Sequence, residues 1–77
     1  MIFEKVCRMI ADQFGVDVNT LTMDTHFEED LSADSLDIVE LTMAIEEEFD
    51  IGEMEEDDLA NLRTIGDVVN HIQNQMN

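Results

Sequence analysis

Three runs of this chain repeat apolar residues at steps of three and four, and no run alternates at steps of two. That pattern predicts helices and no half-buried strand. In the first run Phe3, Val6, Cys7, Ile10 and Phe14 fall on one stripe, and Gly15 follows as a stop signal. The spacing predicts a helix over residues 2–14. In the second run Ile38, Leu41, Thr42, Ile45 and Phe49 share a stripe. Asp34 stands at the predicted N-cap with Asp37 three residues later, a capping box with Asp in place of Glu. This helix is expected to begin near Asp34 and end near Phe49, with Gly52 close behind. The third stripe is Ile65, Val68, Val69, Ile72 and Met76, opened by Thr64 with Asp67 at the capping-box position. It is expected to run to about residue 75. Residues 53–61, Glu-Met-Glu-Glu-Asp-Asp-Leu-Ala-Asn, read as a short, weakly periodic helix.

Residues 16–33 keep no period. Val16, Val18, Leu21, Phe27 and Leu31 are spaced through them as anchors for a long loop, and long loops in small domains are often functional. Seventy-seven residues suffice for one domain, spanning 1–77. The expected architecture is all-α, a small four-helix bundle of three longer helices and one short one. Its only aromatic residues are four Phe, so the core is mostly aliphatic and methionine, a soft filling that can adjust to a guest.

The charge narrows the partners. The formal net charge is −17. Between Glu28 and Asp58 there are fifteen acidic residues and no basic one, and Lys5, Arg8 and Arg63 all lie outside that stretch. A nucleic-acid binder needs a basic face, and an anionic membrane would repel this chain. Like charges at i, i+4 also destabilise a helix. A run this one-sided is therefore read as a docking face for proteins with Lys/Arg patches. No apolar run approaches the ~18 residues of a membrane span, and no signal peptide is evident, so a cytoplasmic monomer is expected. Cys7 is alone and lies on the first apolar stripe, which makes it an ordinary core position.

Metal and enzyme readings do not survive the spacing. Asp30, Ser32 and Asp34 match the first, third and fifth positions of a calcium loop. Ser35 then stands where Gly is needed, and Leu41 where Glu is needed. His26 and His71 lack further His or Cys company, so no zinc site is expected. Ser35 has no strand–turn–helix context and no Lys or His close in sequence, so it is not read as a nucleophile. It does sit at a predicted helix start, where free N–H groups and the helix dipole favour a phosphate. The surrounding acids would repel a free phosphate, so a phosphate there would be held covalently. Serines at helix starts are common, and position alone leaves both a plain capping role and a carrier role open.

The run His26-Phe-Glu-Glu-Asp-Leu-Ser-Ala-Asp-Ser-Leu-Asp-Ile-Val-Glu-Leu41, continued by Ala44-Ile-Glu-Glu-Glu-Phe49, resembles the attachment region of acyl carrier proteins. The resemblance covers nearly the whole chain, including helix order and charge. It implies that Ser35 Oγ receives 4′-phosphopantetheine from coenzyme A, with Asp34 and Leu36 flanking. It implies a partner face of Asp37, Val39, Glu40, Met43 and Glu47 beside Leu36. The partners implied are a phosphopantetheinyl transferase and the enzymes of fatty-acid synthesis. The protein would carry acyl groups as thioesters and catalyse nothing itself. A specialised carrier, for polyketide, lipopeptide or D-alanyl transfer, and an acidic helical interaction module without a prosthetic group are the alternatives. The chain departs from the family in two places. Ser32 stands where Gly is usual, and a position needing φ > 0 would strain it. Gly52-Glu53-Met54-Glu55 replaces an Ile-Pro pair ahead of the short helix, which lines the acyl tunnel in this family.

Overall fold

The structure, a computed structural model, describes residues 2–76. Four helices follow the expected order: α1 (Ile2–Phe14), α2 (Ser35–Phe49), α3 (Glu56–Ala60) and α4 (Ile65–Met76), with a 3-10 turn at Val18–Thr20. Among the described residues there is no strand, only an isolated antiparallel bridge between His26 and Thr64. The all-α bundle read from the periodicity is the observed one.

Each helix is bounded by local chemistry. Gly15 takes φ 67°, and its N–H donates to Ala11 O at 2.8 Å, closing α1. Thr64 Oγ1 accepts from the Asp67 N–H at 3.2 Å while Asp67 Oδ2 accepts from the Thr64 N–H at 3.1 Å, which starts α4 as a capping box. Helix α2 ends at Phe49, as expected, and Asp50 caps it in the left-handed conformation at φ 52°, two residues before Gly52. Helix α3 is shorter than its sequence run because no residue in it is fully buried to hold further turns.

α1 packs on both α2 and α4. Val6 and Ile10 of α1, Leu41 and Ile45 of α2, and Ile65, Val68 and Ile72 of α4 are buried. Ile38 and Phe49 lie half-buried at the ends of the α2 stripe. Cys7 is buried, and burial raises its thiol pKa above the ordinary range.

Two expected core positions prove wrong. Val18 is 39% exposed, because Asp17 caps the 3-10 turn through the Asn19 N–H at 2.9 Å and swings Val18 outward. Met76 is 56% exposed, since the last turn of α4 runs beyond its packing partners. The other loop anchors hold: Leu21 and Phe27 are buried, and Val16 and Leu31 half-buried.

The long connection is more ordered than its composition suggests. The Phe27 N–H donates to Arg63 O at 3.0 Å, and the Ile65 N–H to Thr25 O at 3.0 Å. The Gly66 N–H donates to Met23 O at 2.8 Å. A Cβ at residue 66 would stand 2.9 Å from that same oxygen, so only glycine permits the approach. These bonds clip residues 23–27 to the start of α4 and hold the chain that leads into α2.

Candidate functional site

Helix α2 begins where the loop emerges from this clip. The Ala33 N–H donates to Phe27 O at 2.9 Å, and the Ala33 side chain is buried. Ser32, just before it, turns the chain through φ 54°, the left-handed region in which an L-residue is strained. The position that the family fills with glycine thus does require positive φ in this chain. Asp34 is the N-cap: its Oδ1 accepts from the Asp37 N–H at 2.9 Å, and Asp37 Oδ2 accepts from the Asp34 N–H at 3.2 Å. The capping box read from the sequence is present.

Ser35 is the first helical residue and is exposed. The box uses the N–H of Asp37, three positions into α2 from its cap. The N–H groups of Ser35 and Leu36 point out of the positive end of the helix without intrahelical partners. Ser35 also stands on the wall of a cavity of about 580 Å³ between α2, the 26–29 loop and α3. Ile38 and Val39 form the α2 wall, Phe27 the loop wall, and Leu59 and Leu62 the facing wall. His26, Glu28, Glu29 and Arg63 also line it, so the cavity is part apolar and part charged. An exposed hydroxyl beside it, on a rigid helix start, suits a covalently held group with a polar head and a flexible apolar extension.

Of the predicted partner residues, Val39, Glu40, Met43 and Glu47 are exposed on α2. Leu36 is 64% and Met43 60% exposed, far beyond what a core stripe allows, with Val39 beside them. Glu47 is free at the surface, but two of the acids are already engaged. Asp37 is half-buried in its box, and Glu40 Oε2 accepts from Gln13 Nε2 at 3.1 Å, which ties the face to α1. Sequence reasoning missed that contact. It also missed Arg63 and His26 on the cavity wall, since only the loop-to-α4 clip brings them there. Glu46 was missed too: its carboxylate accepts from the Met54 N–H and anchors the connection to α3. The long i-to-i+8 span of that bond has no local signature. His26 Nδ1 lies 3.8 Å from Asp30 Oδ2. Among the described residues no three side chains of metal-binding type converge.

Comparison with known proteins agrees with this geometry. Residues 4–72 match the family described as the phosphopantetheine attachment site. An acyl carrier protein of Clostridium acetobutylicum is 55% identical over 73 residues, which cover 95% of this chain and 94% of the relative. With a family match across nearly all of its helices, the chain belongs to the phosphopantetheine-attachment family, and 4′-phosphopantetheine is its prosthetic group.

Proposed function

We propose that this chain is an acyl carrier protein, one domain spanning residues 1–77, with the prosthetic arm esterified to Ser35 Oγ. The observation that carries the assignment is the exposed Ser35 at the capped start of α2, on the wall of a cavity that Phe27, Ile38, Val39, Leu59 and Leu62 also line. Asp34 fixes the helix start on one side of the ester, and Leu36 presents an apolar edge on the other. The bound arm supplies a terminal thiol that holds the acyl group as a thioester. The protein's own part is to position the arm, shelter the chain and present both to partner enzymes. Ser35 is a point of attachment, not a nucleophile working on substrates.

The pathway proposed is fatty-acid synthesis of the bacterial kind, and the partners are the transferase that loads Ser35 and the enzymes of chain elongation. They would meet the face of Asp37, Val39, Glu40, Met43 and Glu47 with Lys/Arg patches, drawn by the acid field and seated on Leu36 and Met43. Among the described residues no helix is long and apolar enough to cross a membrane, and the cytoplasm is the compartment proposed.

Intact-mass spectrometry tests the site. Incubated with coenzyme A and a phosphopantetheinyl transferase, the wild type and Ser32→Ala should each gain one arm, and Ser35→Ala none. An arm appearing on Ser35→Ala would refute the assignment to Ser35.

A further inference from the structure

Arg63 is placed unlike the other two bases. Lys5 Nζ pairs with Glu48 Oε2 at 2.9 Å and stands 5.7 Å from the Phe49 ring centre. Arg8 borders a separate groove beside α1. Arg63 is exposed, has no ion-pair partner among the described residues, and lines the cavity that opens at Ser35.

Its backbone is fixed from both sides. The Arg63 N–H donates to Asp67 Oδ2 at 3.0 Å, and its carbonyl accepts from the Phe27 N–H at 3.0 Å. The Cα is therefore held on the wall of the cavity that Ser35 also lines, and only the side chain is free to move. The surroundings make that placement consequential. Glu28 and Glu29 line the same cavity, and Asp34 and Asp37 flank the helix start. A phosphodiester on Ser35 would be set among four carboxylates. The end of α2 offers it only about half an elementary charge. A guanidinium offers a full charge and a planar fork matched to two phosphate oxygens.

We infer that Arg63 is a positioning residue for the prosthetic group: its guanidinium reaches across the cavity mouth to the phosphodiester on Ser35 Oγ and sets the direction in which the arm leaves. This inference rests on Ser35 being the attachment site. Lys5 and Arg8 cannot substitute, because neither borders this cavity.

The test uses the full chain, apo and fully loaded, with intact mass verifying the arm on Ser35. In the wild type, loading should shift the Arg63 Nε–Hε resonance. In loaded Arg63→Gln the ³¹P resonance of the diester should move toward that of free pantetheine phosphodiester and narrow, while the circular dichroism spectrum stays that of the wild type. Arg63→Lys, which keeps the charge and loses the fork, should fall between them. An Arg63 resonance indifferent to loading, with one ³¹P shift and linewidth in wild type and Arg63→Gln, would overturn the inference and leave the carrier assignment standing. A wild type that gains no mass at Ser35 would overturn the carrier assignment, and this inference with it.

Discussion

Replacing Ser32 by glycine should stabilise this protein without touching its core. Ser32 holds φ 54°, and its side chain is exposed and makes no hydrogen bond among the described residues. An L-residue in the left-handed region costs roughly 1–2 kcal/mol. Glycine removes that cost and returns about 0.4–1 kcal/mol as extra freedom of the unfolded chain. The difference is a net gain of about 0.5–1 kcal/mol. For a domain of this size 1 kcal/mol moves Tm by about 4–8 °C, so Ser32→Gly should raise Tm by roughly 2–8 °C. Thermal unfolding followed by circular dichroism on the apo protein measures this directly. Ser32→Ala is the control, since it keeps the Cβ that makes the conformation strained and should gain nothing. Asp50→Gly, at φ 52°, should gain less than Ser32→Gly, because Asp tolerates this region better than Ser. A Tm for Ser32→Gly at or below the wild type, or an equal gain from Ser32→Ala, would refute the strain argument.

Gly66→Ala should destabilise by about 1 kcal/mol net in urea unfolding. Crowding against Met23 O outweighs alanine's better helix propensity, and a gain would mean the loop is not clipped there. Glu40→Lys with Glu47→Lys should slow loading by the transferase roughly tenfold at low salt, and added salt should slow the wild type; rates indifferent to both would remove the steering role. Octanoyl loading should raise Tm, each buried methylene being worth about 0.8 kcal/mol before ordering costs, and should shift the methyl resonances of Ile38, Leu59 and Leu62, which line the cavity. An unchanged Tm with shifts confined to residues beside Ser35 would leave the chain in water. The Cys7 thiol is held protonated by burial, so the unfolded chain releases that proton first. Stability should be intact below about pH 8.5 and decline as pH rises through and beyond it, and Cys7→Ala should lack that decline in a urea series.

What the amino-acid pattern reveals here is local, and what it hides is long-range. The stripes through Val6 and Ile10, Leu41 and Ile45, and Val68 and Ile72 could be read because each helix buries one face. The boxes at Asp34–Asp37 and Thr64–Asp67 could be read because both partners sit three residues apart. Val18 and Met76 were misread because an apolar residue at the right spacing still needs a neighbour to cover it. Ser35 and the exposed row of Leu36, Val39 and Met43 were visible as a second stripe beside the core stripe. The cavity wall was not. Arg63 and His26 reach it through backbone bonds between segments far apart in sequence, and backbone bonds leave no side-chain signature. The αL residue that closes α2 is Asp50, ahead of the glycine two residues later, since Asp follows Asn and Gly in tolerating that conformation.

The clip between residues 23–27 and the start of α4 also has a consequence for the order of events during synthesis. It joins positions roughly forty residues apart, and Gly66 is its last member. A nascent chain emerges from its N-terminus, so Ser35 and all of α2 are made well before Arg63, Ile65 and Gly66 exist. Until those residues arrive, the loop ahead of Ser35 lacks its backbone bonds to the start of α4, and the cavity lacks Arg63. Closing so large a loop is also among the slower steps open to a small helical protein. Ser35 is therefore framed only when the final helix has docked. A transferase that reads the framed site, and not the local sequence, would modify finished chains and pass over unfinished ones. A chain truncated before Ile65 and loaded as fast as the full-length protein would show that it reads the local sequence instead.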